Sequence, residues 1–304
     1  MSAEPIDFAL IAIRFDEFDA VRAALAVAPA PYRGRRLYAR VSLEDSGGNS
    51  RRGVLVRCGR QGQGESQSVA QDLLSDFAPR CVFLVGIAGA FADTEYCLGD
   101  VLVASEVLNY TVSAAQQGQP STFGAFGHAL HPDAERLIAY LPALAEALGP
   151  WNAALTPHPT VALGAKQFYG DAKDQTAVKK AIKHFKKGNR LPLFRDGAFA
   201  TSDTLLKDLT LAVRWRDTAR QLVAVEMELG GVLLAAKHAS PMPPVLCVRG
   251  ISDVVGYKRD PAWTVFACRS AAAFASALLR TEHFWNALGG QAGATTTTTP
   301  TFAA

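Results

Sequence analysis

The sequence predicts an α/β fold. Short apolar runs alternate with segments whose apolar residues fall at helical spacing. Two such runs, 222–225 and 244–248, flank a small-residue helix at 229–239, and each empties into polar residues: Glu226-Met227-Glu228 after the first, Arg249-Gly250-Ile251-Ser252-Asp253 after the second. A third, 81–85, ends in Gly86-Ile87-Ala88-Gly89-Ala90. In open α/β sheets, polar residues at strand ends meet in the crevice that binds ligands, so Glu226, Glu228 and Asp253 are expected to face one pocket. Carboxylates at the ends of apolar strands are costly to desolvate unless something binds them. Singly, each has a structural reading: Glu226 and Glu228 as caps of the following helix, Asp253 as the start of a turn. As a set they point to a site.

Taken in order, residues 6–13 form an apolar run interrupted by Asp7, read as a strand near the sheet centre. Arg14-Phe15-Asp16-Glu17 follows, and Phe18, Val21, Ala24 and Leu25 then recur at helical spacing. Arg14 and Glu17 therefore sit at a strand-to-helix junction, from which side chains reach a crevice; a first-turn acid favourable to the helix dipole is the other reading of Glu17. Residues 37–43 and 53–58 read as strands joined by a polar turn at 45–49. Gly59-Arg60-Gln61-Gly62-Gln63-Gly64 leads into a helix at 66–77. Such a turn can cradle an anion, but it lacks the Gly-Lys-Ser/Thr ending of a P-loop and reads by itself as a tight turn.

The run at 81–85 is the clearest buried strand, and the glycines after it suit a backbone passing close to a ligand. Residues 98–104 read as a turn into a strand that 107–112 continues, 116–126 as an exposed loop, and 136–148 as a helix. Residues 179–187 carry a run of lysines, read as a solvated helix face or as a docking surface for a polyanion. Residues 197–201 form a strand followed by a turn at 202–206, and 261–279 an amphipathic helix with Trp263, Phe266, Ala267, Ser270, Ala273 and Phe274 on or near one face. One domain is expected over 1–288. The threonine-rich stretch 289–304 buries too little to order itself and is expected to be a disordered tail.

Composition narrows the function. The 304 residues are 49% hydrophobic, enough for a substantial core. The 31 basic and 28 acidic residues leave a net charge of +3, too balanced for a nucleic-acid or membrane surface over the whole molecule. Five cysteines without C-x-x-C spacing read as small core residues in a reducing compartment, not a disulfide frame or metal site. With no basic-then-apolar leader in 1–7 and no stretch expected to span a bilayer, a cytoplasmic location is expected.

Gly86-Ile87-Ala88-Gly89, Leu98-Gly99-Asp100-Val101, Thr201-Ser202-Asp203, Val225-Glu226-Met227-Glu228 and Arg249-Gly250-Ile251-Ser252-Asp253 follow one another in an order and spacing that resembles the nucleoside phosphorylase and nucleosidase superfamily. Within it the chain is most similar to methylthioadenosine/S-adenosylhomocysteine nucleosidases, over roughly residues 6–279. The resemblance implies a three-layer α/β sandwich with a mixed, partly barrel-like central sheet, pairing into homodimers, and cleavage of a purine N-glycosidic bond without metal or organic cofactor. By position it implies Asp253 as the acid that protonates the departing base and Glu17 as the base that activates water. It places Glu228 on the ribose hydroxyls, Met227 against the sugar with Glu226 beside it, the backbone of Leu205 and Leu206 at the purine edge, and Ile87, Ser202 and Arg14 among the substrate-binding residues.

Glycosidic cleavage needs anions beside the sugar and a proton donor beside the base. An acid in an apolar pocket stays protonated while a hydrogen-bonded one stays ionised, an environment expected of Asp253 and Glu228 respectively. Three features depart from the family. Leu205 stands where an aromatic ring commonly stacks on the base, Ile87 where a small hydroxyl residue is frequent, and 114–195 is longer than in the compact nucleosidases. A substrate with 5′-phosphates would suit extra cations at the pocket mouth, with Arg14, Arg60 and 179–187 as candidates. Two other readings remain: a phosphorylase with phosphate as nucleophile, which a carboxylate at Glu17 would repel, and a non-catalytic nucleotide sensor.

Overall fold

The apolar runs become strands because both of their faces are covered. Residues 8–12 and 81–85 are essentially without solvent exposure, the signature of central strands in a sheet flanked by helices. The computed structural model describes residues 4–27, 30–93, 95–114, 122–170, 174–186 and 190–289. Its strands are β1 (Glu4–Ala12), β2 (Pro31–Arg33), β3 (Leu37–Glu44), β4 (Ser50–Arg57), β5 (Phe77–Ala90), β6 (Val101–Ala114), β7 (Thr122–His128), β8 (Phe194–Thr201), β9 (Leu222–Glu226) and β10 (Val245–Val254). Its helices are α1 (Phe15–Ala24), α2 (Gln63–Asp76), α3 (Pro132–Leu144), α4 (Asp174–Lys186), α5 (Leu209–Thr218), α6 (Leu229–Lys237), α7 (Pro261–Arg280) and α8 (Glu282–Ala287).

The strands make one mixed sheet of ten, in the order β10-β6-β8-β9-β5-β1-β4-β3-β2, with β7 on the edge of β6. Because β10 also pairs with β5, the first five strands close into a ring. The length of β5 permits this: its first half pairs with β1 through residues 77–84, and its last residues, Gly89 and Ala90, pair with Val225 and Ala224 of β9. Strands β1, β4, β3 and β2 extend from the ring as an open wing. Helices flank the sheet in two packed pairs, α1 with α7 and α2 with α6, which is the expected sandwich with its barrel-like half.

Ring closure also changes how the acidic motifs meet. β9 and β10 are not neighbours; β5 lies between them, parallel to β10 and antiparallel to β9. Glu226 and Asp253 therefore approach across β5 from strands that run in opposite directions, not from adjacent parallel strand ends.

Other expectations need correcting. Arg249 to Asp253 is not a loop: β10 continues to Val254, with a register shift between Ile251 and Asp253 that re-aims the acid. Residues 122–126, expected in a loop, belong to β7, an edge strand with no buried residue that pairs with the outer half of β6; the rest of that expected loop, 116–121, lies outside the described residues. Helices α5 and α8 were not foreseen, although the Asp208 carboxylate, accepting from the backbone N–H of Thr210 and Leu211, marks where α5 starts. α7 is long and apolar enough to cross a membrane, contrary to expectation, but 72% of its apolar window is buried inside the fold, as in a core helix. Residues 290–304, where a tail is expected, lie outside the described residues.

α7 packs directly on β10 and β5. Contact is so close at Gly250 that a Cβ there would sit 2.1 Å from the backbone oxygen of Ala267. Backbone cannot yield as a flexible side chain does, so Gly250→Ala is expected to cost at least about 2 kcal/mol and to lower Tm by several degrees, measured by calorimetry. An unchanged Tm would show that α7 is not seated as described.

Candidate active site

At the end of the ring where β5 continues as strand through Gly86–Gly89, a narrow hollow of ≈ 80 Å³ is lined by Glu17, Gln61, Ile87, Ala88, Gly89, Thr204, Leu205, Leu206, Val225, Glu226, Met227, Glu228, Asp253 and Arg259. It shares Leu205, Leu206, Asp253 and Arg259 with an adjoining cleft of ≈ 330 Å³, and Gln61 with another of ≈ 370 Å³. Together these provide the space of a ligand site, roughly 300–1,000 Å³. The larger cleft of ≈ 540 Å³ lies at the opposite end of β5, beside Phe77 and Pro79, and its only titratable side chains are Arg80 and His238.

The acids are held by one cation. Arg249, wholly without exposure, gives a single nitrogen, Nη2, to two carboxylates: Glu226 at 2.7 Å and Glu228 at 3.0 Å. Its Nε and Nη1 find no oxygen acceptor among the described residues. Gly86 explains how this group fits. A Cβ there would lie 2.4 Å from Arg249 Nη1 and 2.5 Å from Glu17 Oε1, so the glycine makes room for protein side chains and not, as expected, for a ligand.

The two neighbouring glutamates divide the structural and site readings between them. Glu226, two residues before the N-cap of α6, satisfies the helix's first free donors, the carboxylate accepting from the backbone N–H of Glu228 and of Leu229, each at 2.9 Å. Glu228 makes no such bond. Its Oε1 accepts from Gly62 N–H at 3.2 Å and its Oε2 from Arg249, which turns the carboxylate to the hollow. Glu17 serves both of its readings. Oε2 accepts from Ile13 and Arg14 N–H at 3.0 and 2.8 Å, closing the start of α1, while Oε1 accepts from Ile87 N–H at 2.9 Å across the sheet. A carboxylate offers about four acceptor positions; three backbone donors orient Glu17 and leave capacity for one more proton donor.

Asp253 accepts from Ser252 Oγ at 2.6 Å and from Arg259 Nε at 2.8 Å. The expected apolar pocket around Asp253 is thus absent: both acids are paired with an arginine, and Glu228 is the more deeply buried of the two. Burial raises the Glu228 carboxyl to about 7, against the pull of Arg249 and with added repulsion from Glu226 and Glu17.

Most of the expected site residues converge here: Glu17, Ile87, Leu205, Leu206, Glu226, Met227, Glu228 and Asp253 all line the hollow. Two do not. Ser202 is buried behind the wall, its N–H bonded to the Glu226 carbonyl and its Oγ accepting from Thr204 N–H. Arg14 lines the adjoining cleft, tied to Asp16 at 2.7 Å. Arg249, Arg259 and Gln61 had no expected role; the basic side chain in an otherwise apolar strand was the available signal for Arg249. Among the described residues no group of three His, Cys, Asp or Glu side chains is placed to hold a metal ion.

The family profile described as the phosphorylase superfamily matches residues 33–281. The chain belongs to the phosphorylase superfamily. Among its relatives, the ATP nucleosidase Cap17 of Escherichia coli is 27% identical over 235 residues, 77% of this chain and 42% of that protein. The chain thus spans less than half of that relative's length. A 5′-methylthioadenosine/S-adenosylhomocysteine nucleosidase of Pseudoalteromonas translucida is 27% identical over 197 residues, 64% of this chain and 65% of that one. The fold is also that of two solved members. The futalosine hydrolase of Helicobacter pylori has a TM-score of 0.61 at 14% identity, covering 91% of this chain and 97% of that one. The 5′-methylthioadenosine/S-adenosylhomocysteine nucleosidase of Colwellia psychrerythraea, solved with adenine, has 0.59 at 19%, covering 95% and 97%.

The raised Glu228 pKa fixes the sign of a stability effect. Folding favours the protonated acid, so its contribution is full below about 4.5 and is lost as pH rises through about 7. Glu228→Gln, which cannot ionise, is therefore expected to raise Tm relative to the unsubstituted protein more at pH 8 than at pH 5. A difference in Tm that does not change with pH would contradict the desolvated placement of this acid.

Proposed function

We propose that this chain hydrolyses the N-glycosidic bond of a purine nucleoside or nucleotide, releasing the free base and a ribose derivative. The observation that carries the reading is the convergence of Glu17, Glu228 and Asp253 on one hollow. The relatives support the substrate class, two of them named as nucleosidases of adenine-containing compounds.

The chemistry follows from charge. As the bond from C1′ to the base breaks, its electrons leave with the base and positive charge develops on the sugar. Glu228, anchored by Arg249 and Gly62, offers a carboxylate to the ribose hydroxyls on that side. Water adds to C1′ and passes its proton to Glu17, whose three backbone bonds aim its remaining acceptor position. Asp253 delivers a proton to N7 of the base. Leu205 and Leu206 supply apolar contact to the purine and Met227 to the sugar.

Phosphate as the nucleophile is disfavoured. Arg249 is engaged with two carboxylates and Arg14 with Asp16, so neither offers an uncompensated cation beside Glu17. The homodimer implied by the family resemblance is part of the proposal.

The test is to incubate the protein with adenosine, inosine, methylthioadenosine, S-adenosylhomocysteine, AMP and ATP, with and without phosphate, and to measure free base. Base release without phosphate is expected, with Asp253→Asn and Glu17→Gln each lowering kcat about 100-fold or more. A phosphate requirement, or near-normal turnover by Asp253→Asn, would overturn the assignment.

A further inference from the structure

We propose that the cleft beside the hollow, lined by Arg14, Arg57 and Arg60, is a subsite for the 5′-phosphates of a nucleotide substrate; this rests on the glycosidic reading above. Its construction follows from the sheet. β1 and β4 are parallel neighbours with Ala12 paired to Arg57, so the loops leaving their carboxyl ends lie side by side. One carries Arg14 and the other Arg60 and Gln61. The cleft of ≈ 370 Å³ between them is also lined by Ile13, Phe15, Asp16 and Gly59, and Gln61 is a wall of both cleft and hollow.

Direction and charge select the ligand. A base at Asp253 and a sugar at Glu228 fill the hollow along its length. The loop holding Arg60 is tied to the sugar carboxylate through Gly62 N–H, so a substituent on the sugar leaves past Gln61 into the arginines. Three guanidiniums face one carboxylate there, and that carboxylate, Asp16, is occupied by Arg14. Arg57 and Arg60 are exposed and make no ion pair with any described residue. Forked N–H donors on neighbouring guanidiniums suit the oxygens of a polyphosphate.

The lysines of α4 do not compete for this role. Lys179 Nζ lies 5.1 Å over the Phe168 ring, and Phe168 bridges to Tyr257, beyond the Asp253 end of the hollow. Lys180 and Lys183 are on the exposed face of the helix, and Lys187 lies outside the described residues. Lys207 and Lys258 line the cleft at the base end, where a 5′-phosphate would lie only if the nucleotide bound reversed.

The experiment measures binding of ATP, adenosine and inorganic phosphate by calorimetry to full-length Asp253→Asn protein, alone and combined with Arg57→Ala/Arg60→Ala or with Lys207→Ala/Lys258→Ala. Each exposed charge-assisted contact is worth up to roughly tenfold. ATP is therefore expected to bind at least about tenfold more tightly than adenosine, with that ratio falling toward one in the arginine variant and holding in the lysine variant. Equal affinities for ATP and adenosine, a ratio lost only in the lysine variant, or phosphate that binds alone at the arginines and stimulates adenosine cleavage by the unsubstituted protein would overturn the proposal. Adenosine cleavage alongside equal affinities would leave the glycosidic reading intact. Arginine-dependent ATP binding without base release from any nucleoside would leave the subsite and remove that reading.

Discussion

A single buried guanidinium organises this molecule. Arg249 has no solvent exposure, and the cost of desolvating such a cation is several kcal/mol unless anions and hydrogen bonds meet it. Glu226 and Glu228 do so through one nitrogen. Removing the cation would strand two carboxylates in the interior, a change that typically costs about 3–5 kcal/mol. The arrangement is therefore poor as a stabilising device and well suited to hold acids where water would otherwise disperse them. Glu226 spends its carboxylate on the start of α6, and Glu228, held at both oxygens, faces the hollow.

Closure of the five-stranded ring makes that geometry possible. An open sheet would keep the ends of β9 and β10 apart, with β6 and β8 between them; closure leaves only β5 in between. Closed, the ring brings opposite-running strands to a common mouth, and the register shift in β10 turns Asp253 inward while Ser252 supports it. Small residues fit where the packing is tightest: Gly86 beneath Glu17 and Arg249, Gly250 beneath α7. The arginine-lined cleft grows from the same sheet, at the seam of β1 and β4.

Much of this was legible in the sequence, because apolar strands ending in acids leave a visible contrast. Glu17, Glu228 and Asp253 could be picked out by their position after such runs, and all three line the hollow. Their environments could not, since deciding partners lie far off in sequence: Ile87 is 70 residues from Glu17 and Gly62 is 166 residues from Glu228. The ring itself is a pairing between β5 and two strands more than a hundred residues away, and no local pattern encodes it. The first residues of β7 read as loop because an edge strand exposed on most of its length lacks a buried apolar face to mark it. Ser202 reads as a site residue from its motif, although its neighbours Thr204 and Leu205 are the residues that reach the hollow. Arg57 gives no signal in the sequence, since a charge at the end of a strand is common, and only the pairing with Ala12 sets it beside Arg14.

If the hollow brings water, and not phosphate, to the sugar carbon, turnover in ¹⁸O-labelled water decides it most directly, with mass spectrometry of the sugar product trapped by reduction before it exchanges. One labelled oxygen on C1′ and an unlabelled base are expected. An unlabelled sugar, or a sugar phosphate in its place, would show that water is not the nucleophile.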